Sequence, residues 1–423
     1  MSILPSPAPG LDPREDFSAL DRVFGDFLCR TAKSQDPSLR LLGMKLIRAR
    51  REGHSFLFLS PAEQDLLAKF PCLTDEKNGL LMPEDDKLYL LREFRNEERA
   101  AQIIAGLLKK PLRSADFSDE EIDDACGTKL NGEQHQAVRN ALARSFALIS
   151  GGPGTGKSTV IAAVAELELR ADPQRVISIA APTGKAAELL TANLSRTLPE
   201  RKLQAQTLHR LFGQNPETGK FRRNEENPLE CDLLIVDECS MVPLNLAANM
   251  LRGLRPDARV VLVGDHRQLE SIESGNVLGE LLSARQDPAS PLGAASVELL
   301  TNYRSAKAPR IQQLAAEIRK EILSPEELLG LLSSGSGDCR FLAAASDSLM
   351  LETARKYWSA LPVLAADRKN QAEVFERFKK FRILTANRAG PGGCDEINTR
   401  IMKELGLRSR YAPGSALMVT RNS

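Results

Sequence analysis

The sequence lacks any uninterrupted apolar run near the ~18 residues that a membrane-spanning helix requires. Its first ten residues are proline-rich, without the basic start and apolar core of a secretory signal. The seven cysteines include no C-x-x-C pair, which argues against a zinc ribbon and a disulfide framework and makes a reducing cytoplasm the expected home. Aromatic residues are 5% of the chain, with a single tryptophan, so no stacking platform for bases can be named. Charge excess is missing as well. Against 56 acidic residues stand 57 basic ones, a net charge of +1, so the chain as a whole is not an electrostatic binder of polyanions. Residues 301–423 carry 20 basic and 13 acidic side chains, an excess that suits a polyanion but equally a solvated face.

What is present is an ordinary globular composition, 42% hydrophobic and 27% charged over 423 residues, long enough for two or three domains. Phe17, Leu20, Val23, Phe24, Phe27 and Leu28 recur at helical spacing. Leu88–Leu91 reads as a short strand running into a helix over Glu97–Leu108, and the polar stretch after Lys109 places a boundary near residue 112. From about residue 130 short apolar runs alternate with helical segments: Phe146–Ile149, Val176–Ala180, Leu233–Val236, Val260–Val263, Val297–Leu300 and Arg382–Thr385. That texture predicts an α/β fold, a parallel sheet covered on both faces, with ligands bound beyond the carboxyl ends of its strands.

Directly after the run ending at Ser150 comes Gly151-Gly152-Pro153-Gly154-Thr155-Gly156-Lys157-Ser158-Thr159. It matches G-x-x-x-x-G-K-[ST] between a strand and a helix. Glycines let successive backbone N–H groups turn inward around a phosphate chain, and the following helix adds its positive end. Lys157 would neutralise the β- and γ-phosphates of ATP, and Ser158 would ligate Mg²⁺. Leu233-Leu234-Ile235-Val236-Asp237-Glu238 supplies the partner acids. Asp237 would hold the metal, while Glu238 would orient and deprotonate a water. Two acids after a strand are common by chance; behind a phosphate loop they read as the second half of an ATPase.

Further segments fit this frame less specifically. In Gly264-Asp265-His266-Arg267-Gln268-Leu269, Gln268 is placed to reach a γ-phosphate and Asp265 to join its network, although a polar loop after a strand looks the same. Arg304, after the run 297–300, could stabilise transition-state charge or be a surface ion pair. Gln134 in Leu130-Asn131-Gly132-Glu133-Gln134 suits an adenine edge, or is a solvated residue in a turn capped by Asn131. Pro182, Thr183, Gly184 and Lys185, at a strand-to-helix turn, and Thr207, His209 and Arg210, beside Leu208, Leu211 and Phe212, could grip a DNA backbone. Each segment alone is as well explained as a helix terminus with an apolar core face.

Taken in order, these segments resemble the motif series of superfamily 1 helicases over about residues 128–310. The phosphate loop, Ala181-Pro182-Thr183-Gly184-Lys185-Ala186-Ala187, Thr207-Leu208-His209-Arg210-Leu211, Val236-Asp237-Glu238-Cys239-Ser240-Met241 and Gly264–Leu269 resemble in particular the RecD family, the alpha subunits of exodeoxyribonuclease V. Lys87–Glu97 and the Gly-rich Arg388–Asn398 are similar to further segments of that family. The resemblance implies an N-terminal partner-docking domain over 1–112, small and mostly helical. It also implies a P-loop (RecA-like) motor domain over 113–300 and an incomplete second RecA-like domain over 301–423. It implies an ATP- and Mg²⁺-dependent DNA helicase subunit that moves 5′ to 3′ on single-stranded DNA. Such a subunit works at DNA ends beside RecB-like and RecC-like subunits, in repair and recombination of double-strand breaks.

A later family motif of the Tyr-Thr-Ala-x-Thr-Arg-Ala type has no counterpart; the nearest text is Met418-Val419-Thr420-Arg421-Asn422-Ser423. The second lobe is therefore expected to stop partway, as a fragment or a shortened product. Three readings remain open: a DNA-stimulated motor, a nucleotide-binding interaction subunit that does not unwind, and another kind of P-loop ATPase such as a kinase or transporter subunit.

Overall fold

A computed structural model describes residues 17–114, 116–268, 271, 274–303, 308–318, 324–333, 339, 347–409 and 412–413. The chain divides into one unit ending at Lys307 and a second beginning at Ala308.

The first unit opens with helices Ala19–Thr31 and Pro37–Arg51. Ser18 starts the first of them: its hydroxyl accepts from the Asp21 N–H while the Asp21 carboxylate accepts from the Ser18 N–H, closing a capping box. Strands β1 (Phe56–Phe58), β2 (Leu81–Glu84) and β3 (Lys87–Leu90) form an antiparallel sheet in the order β1-β3-β2. Leu28, Leu42, Leu46, Leu73, Leu81 and Leu88 fill the space between helices and sheet. The apolar stripe of the first helix is wider than the core it meets: Leu28 is buried, whereas Leu20 and Val23 are 64% and 58% exposed.

Helix Leu91–Leu108 is longer than its predicted span. Its second half, through Ala100, Ile104 and Leu107, enters a different apolar cluster with Phe146, Leu148 and Met250. Its first turns touch the N-terminal helices and sheet instead through the Glu93–Arg50 ion pair and the Phe94–Tyr89 ring contact.

The strands of that region are β4 (Phe146–Gly151), β5 (Ile177–Ala181), β6 (Ala205–Thr207), β7 (Leu233–Val236), β8 (Arg259–Gly264) and β9 (Ser296–Leu299). They pair in parallel, in the order β6-β5-β7-β8-β4-β9. β4, β7 and β8 are buried along their whole length. Alternate residues serve opposite faces: Ala147, Ile149, Ile235, Val261 and Val263 meet one helical layer, Phe146, Leu148, Leu234, Val260 and Leu262 the other. The fold is α/β, a parallel sheet between helical layers, preceded by a mostly helical region. No helix among the described residues is long and apolar enough to cross a membrane.

From Ala308 onward the described residues contribute helices, among them Asp347–Trp358 and Cys394–Glu404. Ala354, Ile397 and Ile401 form a small core there, with Trp358 and Phe381 packed against it. Arg382–Thr385, read from sequence as a strand, has no strand pairing here. Its side chains turn to other uses: Arg382 lies 3.7 Å from the centre of the Phe378 ring, and Leu384 is 93% exposed. Arg304 and residues 418–423 lie outside the described residues.

Because Ile104 sits in the core under β4, Ile104→Ala should lower the unfolding free energy of the whole first unit by about 2–4 kcal/mol. Leu20→Ala, at an exposed site, should change it by less than about 0.5 kcal/mol. Urea titration of the full chain measures both, and equal effects would contradict the burial of Ile104 in that core.

Candidate nucleotide site

The carboxyl edge of the parallel sheet gathers the loops that follow β4, β5, β6, β7, β8 and β9. β4 runs into a tight loop that opens helix Lys157–Ala171. Gly154 and Gly156 hold positive φ angles of 81° and 87°, which L-residues adopt only with strain. At Gly151 the obstacle is space instead: a Cβ there would lie 2.7 Å from Thr155 Oγ1 and 2.9 Å from Leu299 Cβ. Thr155 closes the loop internally, its hydroxyl donating to the Gly152 carbonyl at 2.9 Å.

Lys157 is buried, and its Nζ donates to the carbonyls of Gly151 at 2.6 Å and Gly152 at 3.1 Å. The ammonium is thus folded back over the loop, satisfied by backbone dipoles. Ser158 follows on the first helical turn, its hydroxyl accepting a long 3.5 Å bond from Asn193 Nδ2.

Gln134 is neither solvated nor open. Its Oε1 accepts from the Asn131 N–H at 3.0 Å, and its Nε2 donates to the Thr155 carbonyl at 3.0 Å. Asn131 caps the helix Gly132–Ala143, as one of the two sequence alternatives had it, but the glutamine is 3% exposed and props the phosphate loop. The spacing Asn131-x-x-Gln134 is that of a capping box, the signal in the sequence for this buried pair.

Across the loop, β7 delivers Asp237 and Glu238. The Asp237 carboxylate accepts from the Glu238 N–H at 2.9 Å. Burial, and then the neighbouring charge of Glu238, push its pKa up to about 6, against the opposing pull of that N–H and of Lys157. Glu238 sits in the left-handed region at φ +54°, an uncommon conformation for glutamate. Its Oε2 and the Ser240 hydroxyl are buried without a hydrogen-bond partner. A raised carboxyl next to an orphaned carboxylate oxygen is an environment short of positive charge. Among the described residues no group of three or more His, Cys, Asp or Glu side chains could hold a metal unaided. One carboxylate and one hydroxyl, Asp237 and Ser158, do suit Mg²⁺, which takes most of its ligands from water and phosphate.

The turn after β8 is organised by Asp265, a buried side chain that accepts from the Arg267 N–H at 3.1 Å. His266 Nδ1 lies 2.8 Å from the Ser150 hydroxyl on β4. Burial, and then the charge of Arg267, hold its pKa below the usual histidine value. Gln268 is half-buried at the end of this turn. The segment after β9 returns to the phosphate loop: Asn302 Nδ2 donates to the Pro153 carbonyl at 2.8 Å and the Tyr303 N–H to the Gly154 carbonyl at 2.9 Å. Ser150, Asn302 and Glu133, which accepts from the N–H groups of Leu300 and Thr301, carry no motif signature in the sequence.

At the other half of the same edge, after β5 and β6, both threonine hydroxyls are used as helix caps. Thr183 accepts from the Ala186 N–H and Thr207 from the Arg210 N–H, each at 3.2 Å. Lys185, His209 and Arg210 are exposed, and the His209 ring stacks at 6.3 Å on Phe221. Leu208 and Phe212 enter the core. Five segments named from the sequence thus meet one sheet edge, with Lys157, Asp237 and Gln268 following β4, β7 and β8 and the basic groups following β5 and β6.

A family model described as an AAA domain matches residues 134–274. The chain is 32% identical over 403 residues to the RecBCD enzyme subunit RecD of Mycobacterium tuberculosis, covering 88% of this chain and 67% of that protein. It is 36% identical over 238 residues to the RecD subunit of Haemophilus influenzae, covering 51% and 37%. It is 34% identical over 284 residues to the ATP-dependent RecD2 DNA helicase of Deinococcus radiodurans, covering 62% and 37%. Among solved structures, the Pif1 helicase of Candida albicans superposes on 54% of each chain at 20% identity with a TM-score of 0.35.

The raised pKa of Asp237 predicts how the metal-free protein responds to pH. A carboxyl held near 6 when folded and 3.8 when free makes the folded state bind its proton more tightly. That stabilisation is complete below about pH 4 and lost as pH rises through 6. In EDTA at pH 8, Asp237→Asn should therefore be more stable than wild type by on the order of 2 kcal/mol, the gap closing near pH 4. Urea unfolding across that range reads it directly; a variant no more stable than wild type at pH 8 refutes the buried charge.

Proposed function

The chain belongs to the RecD family, and on that premise we propose that it is an ATP-dependent DNA helicase subunit acting on single-stranded DNA and DNA ends. The observation that carries this reading is the division of one sheet edge: Lys157, Asp237 and Gln268 follow β4, β7 and β8, and the exposed cationic groups Lys185, His209 and Arg210 follow β5 and β6.

In this reading the amides of residues 151–158 and Lys157 bind the phosphates of ATP. The lysine exchanges the carbonyls of Gly151 and Gly152 for phosphate oxygens, a charge-assisted bond in place of a dipolar one. Ser158 and Asp237 hold the magnesium, which supplies charge neutralisation at the phosphates when bound. Glu238 orients the attacking water and accepts its proton, and its unpartnered Oε2 is the atom free to do so. Gln268 contacts the γ-phosphate at the end of the Asp265 turn, and Arg304 supplies a further cation to the transition state. Gln134 acts through the loop it supports, and offers the adenine edge whatever bonding capacity remains. Lys185, His209 and Arg210 touch the DNA backbone, with Pro182, Gly184 and the two capping threonines shaping the turns that present them.

The finer assignments follow the family. They are movement from 5′ to 3′, RecB-like and RecC-like partners for the N-terminal docking domain over 1–112, a cytoplasmic place, and a role in double-strand-break repair and recombination. Residues 113–300 and 301–423 are then the first and second motor domains. The chain spans about two thirds of the Mycobacterium tuberculosis protein, so these properties are proposed for the assembly in which it works. One observation favours the alternative, a nucleotide-binding subunit that does not unwind: beyond Ala308 the described residues form helices and no strand.

ATP hydrolysis by the full chain should be stimulated by oligo-dT and reduced by about 10²–10³-fold in Lys157→Ala. Hydrolysis indifferent to DNA would remove the motor reading, and DNA-stimulated hydrolysis without strand separation would select the alternative.

A further inference from the structure

The ladder between β4 and β9 ends where Leu299 lies opposite Gly151. Beyond it the chain runs from Leu300 to Lys307 and leaves the first unit. Packing does little to hold the first stretch of this exit, since Leu300 is 67% and Tyr303 53% exposed. Hydrogen bonds hold it instead. A single oxygen, Glu133 Oε2, accepts from two consecutive amides, Leu300 at 2.8 Å and Thr301 at 3.3 Å. The next two residues donate to the tip of the phosphate loop, Asn302 to Pro153 and Tyr303 to Gly154.

Glu133 is the immediate neighbour of Gln134, whose amide holds the other side of the same loop at Thr155. One helical turn therefore grips two segments through adjacent side chains: Gln134 the phosphate loop, Glu133 the root of the exit segment. Helical geometry fixes the separation of these two grips, and an ionised acceptor makes the second stronger than a neutral one.

We propose that Glu133 is a positioning residue for ATP hydrolysis, fastening the root of the segment that leaves β9 in register with the phosphate loop. The inference rests on the ATPase reading above and extends it. Arg304 follows Tyr303 directly in the sequence, so a fixed root at 300–303 limits where any group presented just beyond it can reach. Glu133 acts on the barrier through the backbone it holds, by restricting the approach of a group that matters in the transition state. Its loss should then lower turnover without loosening the ground-state grip on nucleotide.

The test uses the full chain with Glu133→Ala and Glu133→Gln. Amide hydrogen exchange comes first, in the absence of nucleotide: at Leu300 and Thr301 it should be about tenfold faster in Glu133→Ala than in wild type. With oligo-dT present, kcat should fall about tenfold while ADP affinity stays within about twofold. Glu133→Gln, which keeps a carbonyl acceptor, should restore a large part of both. On an Arg304→Ala background the same substitution should cost less than about twofold, because the group it positions is gone. Unchanged exchange, an unchanged kcat, or a full tenfold loss on the Arg304→Ala background would each overturn the proposal. A wild type that hydrolyses no ATP would overturn the functional reading instead, and the exchange rates would still decide whether Glu133 holds the segment.

Discussion

The arrangement depends on a sheet with no free face. β4, β7 and β8 bury every side chain they carry, so nothing polar can emerge from the strands along their length without an unpaired cost. Chemistry is confined to the two ends, and because the strands are parallel their carboxyl ends fall on one edge. There the helices after β4, β5 and β6 begin, with first-turn N–H groups that have no acceptor within the helix. The glycine loop after β4 and the strand end of β7 that carries two acids are neighbours for this reason, although about eighty residues separate them in the sequence.

Electrostatics at that edge are left incomplete in a particular way. Lys157 is satisfied by loop carbonyls, so its charge lowers the Asp237 pKa only as a minor influence against burial and Glu238. The acids carry a deficit of positive charge, and the lysine sits in bonds that an anion can outcompete. In the proposed reading, a ligand bringing both a polyphosphate and a divalent cation would correct both at once. A metal alone would find few ligands, and a phosphate alone would face two acids. The site is thus built for the pair.

How far this was legible depends on the kind of constraint. The phosphate loop and the acids after β7 were readable because glycines at positive φ and a buried apolar strand leave few other residues possible. The central strands were readable to within a residue or two for the same reason. β1, β2 and β6, of three or four residues, were not: so short a run has no periodicity. Thr183 and Thr207 show a different failure. A hydroxyl before a helix is an N-cap and a phosphate ligand in the same letters, and the local backbone claims it first. Arg382–Thr385 had the letters of a strand but no neighbouring strand among the described residues with which to pair. Pairing is a tertiary fact that four residues cannot declare.

The boundary near residue 112 is the instructive case. Composition marks it truly as a polar, punctuated stretch, yet cores are not delimited by composition. Helix Leu91–Leu108 begins against the N-terminal region, through Glu93–Arg50 and Phe94–Tyr89, and ends in the core under β4. Further ties cross the same junction: Arg99 and Arg252 share Glu225, Lys110 Nζ donates to the Pro256 carbonyl, and the Gly275 N–H donates to the Gly53 carbonyl at 3.0 Å. The last of these has a consequence for the site. Gly275 lies at the far end of the chain stretch that begins with the Asp265 turn, and Asn276 next to it caps helix Val277–Ala284. His266 is bonded to Ser150 on β4, and Gly275 to Gly53 in the N-terminal region. The N-terminal region is thereby tied both to the core under β4 and to the start of helix Val277–Ala284.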